Sequence, residues 1–177
     1  MVDGAAVPPI TLNCGNPMKT SPNACEFEKE IAAWPKPIHL AHPGGNVFVT
    51  LQSHPDYIEA KWYGHITSGD VVTASKVYLA LLQTYPCPDK LLNDKTLVTG
   101  DWSDANDWLE FDWLPQVLYA GLHYLAHIYS NNMFSRLSAR DLYLRITPRL
   151  QMQNFSNRDE ALDWLLNLPP TVMEQTA

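Results

Sequence analysis

Residues 101 to 115, DWSDANDWLEFDWLP, hold five carboxylates and three tryptophans and no basic residue. Acids beside aromatics are the residue types of a glycosidase cleft, where two carboxyls face each other across a sugar. The spacing points elsewhere. Asp104, Asp107 and Glu110 recur at intervals of three, so on one helix they lie along one side, and no opposing pair stands elsewhere in the chain. Ser103 suits an N-cap, and Asp104 and Asp107 then fall in the first turn, where negative charge complements the helix dipole. Ala105, Leu109, Trp113 and Val117 make an i, i+4 apolar stripe, which puts Trp113 in the core. Pro115 removes the hydrogen bond to the Phe111 carbonyl and should kink the helix. The stretch reads as the acidic start of a helix. Asp101, Trp102, Ser103, Asp104 and Asp107 are candidates for holding a partner, not for acid–base work.

A basic counterpart lies further on. All five arginines fall between residues 136 and 158, and between 132 and 158 they meet a single acid, Asp141. Arg136 and Arg140 share a helix face at i, i+4. One acidic and one basic region suggest self-association, an anionic ligand held by arginines, or plain solvated faces with ion pairs inside the molecule. Asp94 lies at or near the carboxyl end of a strand, the place where open α/β sheets bind ligands, so it is a further candidate.

Other chemistry finds no carrier. His123 and His127 would pair on a metal if helical, but they fall on a strand, ~13 Å apart, too far for one zinc. No metal or cofactor is expected. No Gly-x-Ser-x-Gly, phosphate loop or Gly-x-Gly-x-x-Gly is present. Cys87 stands between two prolines with no base assigned to it. Three cysteines, Cys14, Cys25 and Cys87, without metal or redox spacing suggest a reducing compartment; a Cys14–Cys25 bridge is the one pairing open.

The chain of 177 residues is 46% apolar and 18% charged, enough for a core and too little charge for disorder. A formal net charge of −7 argues against a nucleic-acid partner. No leader peptide and no run of about 20 apolar residues is seen. A cytoplasmic domain without stable membrane insertion is the expectation.

Elements must position these residues. Residues 1–45 carry half of the fourteen prolines and read as an N-terminal tail, with residues 24–34 as one short helix inside it. Residues 47–52 and 57–64 alternate with period two around the turn SHPD, an antiparallel hairpin that buries Ile58, Ala60 and Trp62. TSGD at 67–70 is a capping box opening a helix over 71–85, ended by PCP. Strands follow at 90–98, 122–130 and 149–155, with helices at 103–120, 134–146 and 157–168; Asn157 and Glu160 repeat the capping pattern. The domain spans 46–168, and 169–177 is a C-terminal tail. A β-hairpin followed by (α-β)3-α calls for an α/β fold with a mixed, mostly parallel sheet of four to five strands.

This order, with KWYGHITSGD entering the first helix, LLND at the third strand, WLPQVLYAGLHYLAHIYS and a closing FSNRDEALDWL, resembles the STAS-like group, the small domains similar to SpoIIAA, and in particular its uncharacterised stand-alone bacterial STAS/SEC14-type branch. The likeness covers about residues 47–168. It implies a sheet with helices mainly on one face, and a protein-docking or regulatory module instead of an enzyme. In such relatives phosphorylation of a Ser or Thr after the third strand switches binding; the nearest hydroxyls here are Thr99 and Ser103. The family's Asp-Ser-(Ser/Ala)-Gly run is replaced by TGDWSDAND. The SEC14 side of the likeness implies a second reading, a carrier of a small apolar ligand or lipid. An enzyme with a carboxylate site near 94–112 is the third.

Overall fold

The structure, a computed structural model, describes residues 25–169. Its strands are Ile38–Ala41 (β1), Val47–Ser53 (β2), Ile58–His65 (β3), Lys90–Thr99 (β4), Tyr124–Ile128 (β5) and Gln151–Phe155 (β6). They form one six-stranded sheet in sequence order. The pairs β1–β2 and β2–β3 are antiparallel, and β3–β4, β4–β5 and β5–β6 are parallel. The expected α/β fold with a mixed sheet is what the chain adopts. The strand count is higher by one, because β1 comes from the region read as tail. Its four residues, IHLA, bury Ile38 and Leu40 against the core, too short a run to show period two amid prolines. Of that region, residues 1–24 lie outside the described ones, as do 170–177.

The helices are Glu28–Ile31 (α1), Ser68–Thr84 (α2), Asn106–Trp108 (α3), Leu114–Tyr119 (α4), Met133–Ile146 (α5) and Arg158–Asn167 (α6). The capping box at α2 is complete: Asp70 N donates to Thr67 Oγ1, and Thr67 N donates to the Asp70 carboxylate at 2.8 Å. Asn157 caps α6 by accepting from Glu160 N at 2.9 Å.

The single helix expected over 103–120 is a composite. Ser103–Ala105 is a 3-10 turn, α3 follows, Leu109–Trp113 is a π segment, and α4 completes it. The wide π turns come just ahead of Pro115, which then stands in the first turn of α4, where its missing N–H costs little. Ala105, Leu109, Trp113 and Val117 are all buried, as their stripe implies.

The core lies in two layers. The larger packs α2, the composite helix and α5 on one sheet face, around residues such as Leu51, Trp62, Leu81, Leu109 and Leu125. On the other face α6 sets Ala161 and Leu165 against Leu92, Ala126, Ile128 and Phe155. Among the described residues no helix is long and apolar enough to cross a membrane.

Candidate functional site

The acidic stretch is tied into the molecule. Asp101 Oδ1 accepts from Ser103 N at 2.9 Å, from Ser103 Oγ at 2.6 Å and from Ser138 Oγ at 3.0 Å. Ser103 is therefore the first residue of the 3-10 turn and not its N-cap; Trp102 holds that position without a side-chain capping bond, and the Ser103 N–H goes to Asp101. Hydrogen bonds from Ser103 hold the Asp101 carboxyl below the usual range. The Ser103 hydroxyl is engaged by Asp101, and the Thr99 hydroxyl lies 3.2 Å from His65 Nδ1. Trp102, expected at a partner surface, is buried; its indole N–H donates to Ser135 Oγ at 3.1 Å. Asp107 and Glu110 meet Arg145 Nη1 at 2.6 and 3.2 Å, and Asp141 meets its Nε at 2.8 Å. One guanidinium thus gathers three carboxylates, and its hydrogen bond to Asp107 leads in raising its pKa. Arg145 was not among the named candidates, but its pairs are the intramolecular ion pairing that the two charge runs left open. Asp104 stays exposed.

Strand β4 carries the densest polar chemistry, on both faces. Leu91, Asn93 and Lys95 point into the main core, and Leu92 and Asp94 point to α6. On the α6 side Arg158 holds Glu59 through Nη1 at 2.5 Å and Nη2 at 2.9 Å, and reaches Asp94 at 3.3 Å. His54 Nε2 lies 3.1 Å from the same Glu59. Burial pushes the Glu59 carboxyl up, but Arg158 and then His54 outweigh it and leave it below the usual range. Asp94 is not the end of its strand. β4 runs on to Thr99 beside β3, and only its pairing with β5 stops at Asp94. There the β3–β4 register slips, and Asp94 Oδ1 accepts from Thr96 N at 3.0 Å and Thr96 Oγ1 at 2.6 Å. Asp94 secures a bulge, the kind of irregularity that re-aims side chains.

Lys95 stands on the main-core face with Leu91 and Asn93, as alternation along β4 requires. Its side chain is 1% exposed. Its Nζ sits 3.5 Å from the Trp62 ring centre and 4.5 Å from that of Trp102, with no hydrogen-bond partner. Gly100, at φ +110, turns the chain so that Trp102 comes back over Lys95, and a Cβ there would run into the Ile66 carbonyl oxygen. Burial drives the Lys95 pKa far down, against a weaker upward pull from Asp70. Beside it the Trp62 indole donates to Asn93 Oδ1 at 2.6 Å, and Asn93 Nδ2 lies 3.1 Å from His127 Nδ1. Since the amide can only donate, His127 Nδ1 accepts and the proton of the neutral ring sits on Nε2. Burial first, then the Lys95 charge, takes the His127 pKa to about 3. Lys95 and Asn93 line an interior cavity of about 50 Å³ between the sheet, α2, the composite helix and α5. A lipid or drug-sized ligand needs roughly 300 Å³ or more.

The exposed face of α5 is apolar. Met133, Phe134, Leu137 and Leu144 stand in solvent, Phe134 at 60% and Leu137 at 56% exposure. Arg136 and Arg140 lie among them and make no ion pair among the described residues, Arg136 resting 4.8 Å over the Tyr129 ring. An open groove of about 330 Å³ runs between Tyr129 and α5, lined by Met133, Arg136, Leu137 and Arg140. It continues past Arg140 to Leu144 and Gln153 as a second groove of about 450 Å³. On the composite helix Phe111 and Tyr119 are likewise exposed, Tyr119 at 96%, with Asp104 and Asp112 near them in sequence and unpaired among the described residues.

The candidates therefore separate. Arg136 and Arg140 are on one surface, Asp104 and Asp107 on another, Asp94 is on the reverse face of the sheet, and Trp102 is interior. Polar residues at alternate positions of an apolar strand, Asn93 and Lys95, were the available signal for the interior cluster. Cys87 is free, and burial raises its thiol to about 11, so it stays protonated at neutral pH. Cys25 is disulfide-bonded, against the expectation of reduced thiols. Its pairing with Cys14 falls outside the described residues.

No protein-family model matches the chain. No curated protein matches it. Among solved structures it is similar to an uncharacterized protein of the DUF3478 family with a SpoIIAA-like fold from Shewanella loihica, at 19% identity over 66% of this chain and 91% of that one, with a TM-score of 0.38.

Proposed function

We propose that this domain is a non-catalytic interaction module whose docking surface is the exposed face of α5, and that its partner is a second copy of the same chain. The observation that carries this reading is the row Met133, Phe134, Leu137 and Leu144, flanked by the unpaired Arg136 and Arg140. Large exposed apolar side chains in one row are costly in water and mark interaction sites. The complement is on the same molecule. Phe111 and Tyr119 are exposed aromatics of the composite helix, and Asp104 and Asp112 of the same stretch are exposed acids. In a two-fold pairing each copy gives one face and receives the other, so both contacts form twice. Aromatics and arginines are the residues that dominate such interfaces.

Nothing in the reading needs a chemical step. The two carboxyls with displaced pKa values, Glu59 and Asp101, are held ionised by their partners. A general acid would need the opposite shift.

The test is sedimentation velocity of the full chain. Wild type is expected to dimerise. Arg136→Glu with Arg140→Glu should weaken association at least about tenfold, since like charges then oppose Asp104 and Asp112. Adding Asp104→Arg with Asp112→Arg should restore it. A wild type that stays monomeric, a double variant that associates as wild type does, or a quadruple variant that stays apart would each overturn the pairing.

A further inference from the structure

The buried Lys95 is an anomaly that neither the docking face nor the ion pairs explain. Buried ammonium groups are ordinarily paired with a counter-charge. Lys95 has two indole faces and no acceptor. The Asp70 carboxylate is occupied by Thr67 and stands 3.5 Å from His42 Nδ1, and it makes no hydrogen bond to Lys95. His127 turns an unpaired Nε2 elsewhere in the interior and is neutral. Asn93, the remaining polar neighbour, has both amide atoms engaged, by Trp62 and His127.

A cavity with one orphan donor and largely apolar walls asks for an occupant with an acceptor and a small apolar remainder. Its size sets the rest. About 50 Å³ is room for roughly three to five water-sized occupants, or one molecule of about four non-hydrogen atoms. We infer that the Trp62–Lys95–Trp102 cavity is a binding site for a small carboxylate of acetate size, its oxygens turned to Lys95 Nζ and its methyl group to the surrounding Leu and Ala side chains. Lys95 is the first residue of β4 beyond its pairing with β5, inside a strand that runs on to Thr99. Alternation along β4 turns it inward with Leu91 and Asn93, and Gly100 permits Trp102 to close over it. The site is independent of the α5 surface, and either can fail without the other.

The probe is sodium acetate, exchanged for sodium sulfate at constant ionic strength, with the chain's six tryptophan indole N–H signals followed by two-dimensional NMR. The Trp62 and Trp102 signals should shift and saturate, with Kd on the order of 1 mM, with a smaller shift at Trp113, which also lines the cavity, while Trp34, Trp108 and Trp164 hold still. In Lys95→Met the shifts should vanish, and unmoved signals elsewhere would show that the variant is folded. In wild type alone, bound acetate should give methyl-to-indole nuclear Overhauser contacts to Trp62 and Trp102, which keeps the test open if Lys95→Met does not fold. Unsaturable shifts, equal shifts in Lys95→Met, absent methyl contacts, or the same response to sodium chloride would overturn the site.

Discussion

Asp94 and Lys95 are neighbours in sequence and look out from opposite faces of one strand. Both are buried. Asp94 shares Arg158 with Glu59 and receives Thr96 through two hydrogen bonds, so its charge is answered within the fold. Lys95 meets two ring faces and nothing else. The difference is one of completeness. A satisfied buried charge fixes structure: here it clamps α6 to β3 and β4 and secures a bulge. An unsatisfied one costs stability, because cation–π attraction is worth roughly 0.5–2 kcal/mol and stripping water from an ammonium costs several.

Breaking the satisfied side should produce the largest effect. Arg158→Ala leaves Glu59 and Asp94 buried without a counter-charge and should destabilise the fold by about 3 kcal/mol, the lower end for such pairs because Arg158 is partly solvated. Urea unfolding measures this. The unsatisfied side should respond in the opposite sense. Lys95→Met keeps the length of the side chain, removes the charge and should stabilise the carboxylate-free protein by about 2 kcal/mol in the same assay. Opposite signs for a substitution at Arg158, which answers one face of β4, and one at Lys95 on the other face would be hard to obtain if both groups were ordinary ion-pair members.

Titration sharpens the contrast. Glu59 has a lower pKa folded than unfolded, so its stabilisation is complete above the ordinary value of 4.5 and is lost as pH falls through the folded value. Lys95 also titrates lower when folded. Between its folded value and the ordinary 10.5 the unfolded chain binds the extra proton, so stability rises with pH. The gap between Lys95→Met and wild type should therefore narrow as pH rises between the folded Lys95 value and the ordinary 10.5, while acid should weaken both proteins alike through Glu59. His127, already neutral, adds nothing in that window.

The smallest effect belongs to the surface. Arg145 touches three carboxylates, yet Asp107 and Asp141 are well solvated. Arg145→Ala should cost less than about 1 kcal/mol in unfolding free energy.

These contrasts also mark what was legible in the sequence. Period two in residues 57–64 placed Ile58, Ala60 and Trp62 in the core correctly, because alternation on a half-buried strand is a local property. The capping residues Thr67 and Asn157 were readable for the same reason. The α/β order followed from such elements. The interior site was readable only as polar residues at alternate positions of β4, Asn93 and Lys95; that Gly100 folds Trp102 back over Lys95 is set by contacts between distant segments. Arg145 and the acids of 107–110 lie some 35 positions apart in sequence, so the charge runs left intramolecular ion pairs open without naming the residues that form them. The α5 face was half visible: Arg136 and Arg140 stood out, but that Phe134 and Leu137 remain in solvent is a fact of packing that helical periodicity alone does not give.

The most direct test of the docking account is a dilution series followed by backbone amide NMR. It predicts that residues 133–144 and residues 104–119 move together, with one common dissociation constant, while β4 stays still. Signals independent of concentration, or movement of only one of the two faces, would contradict it.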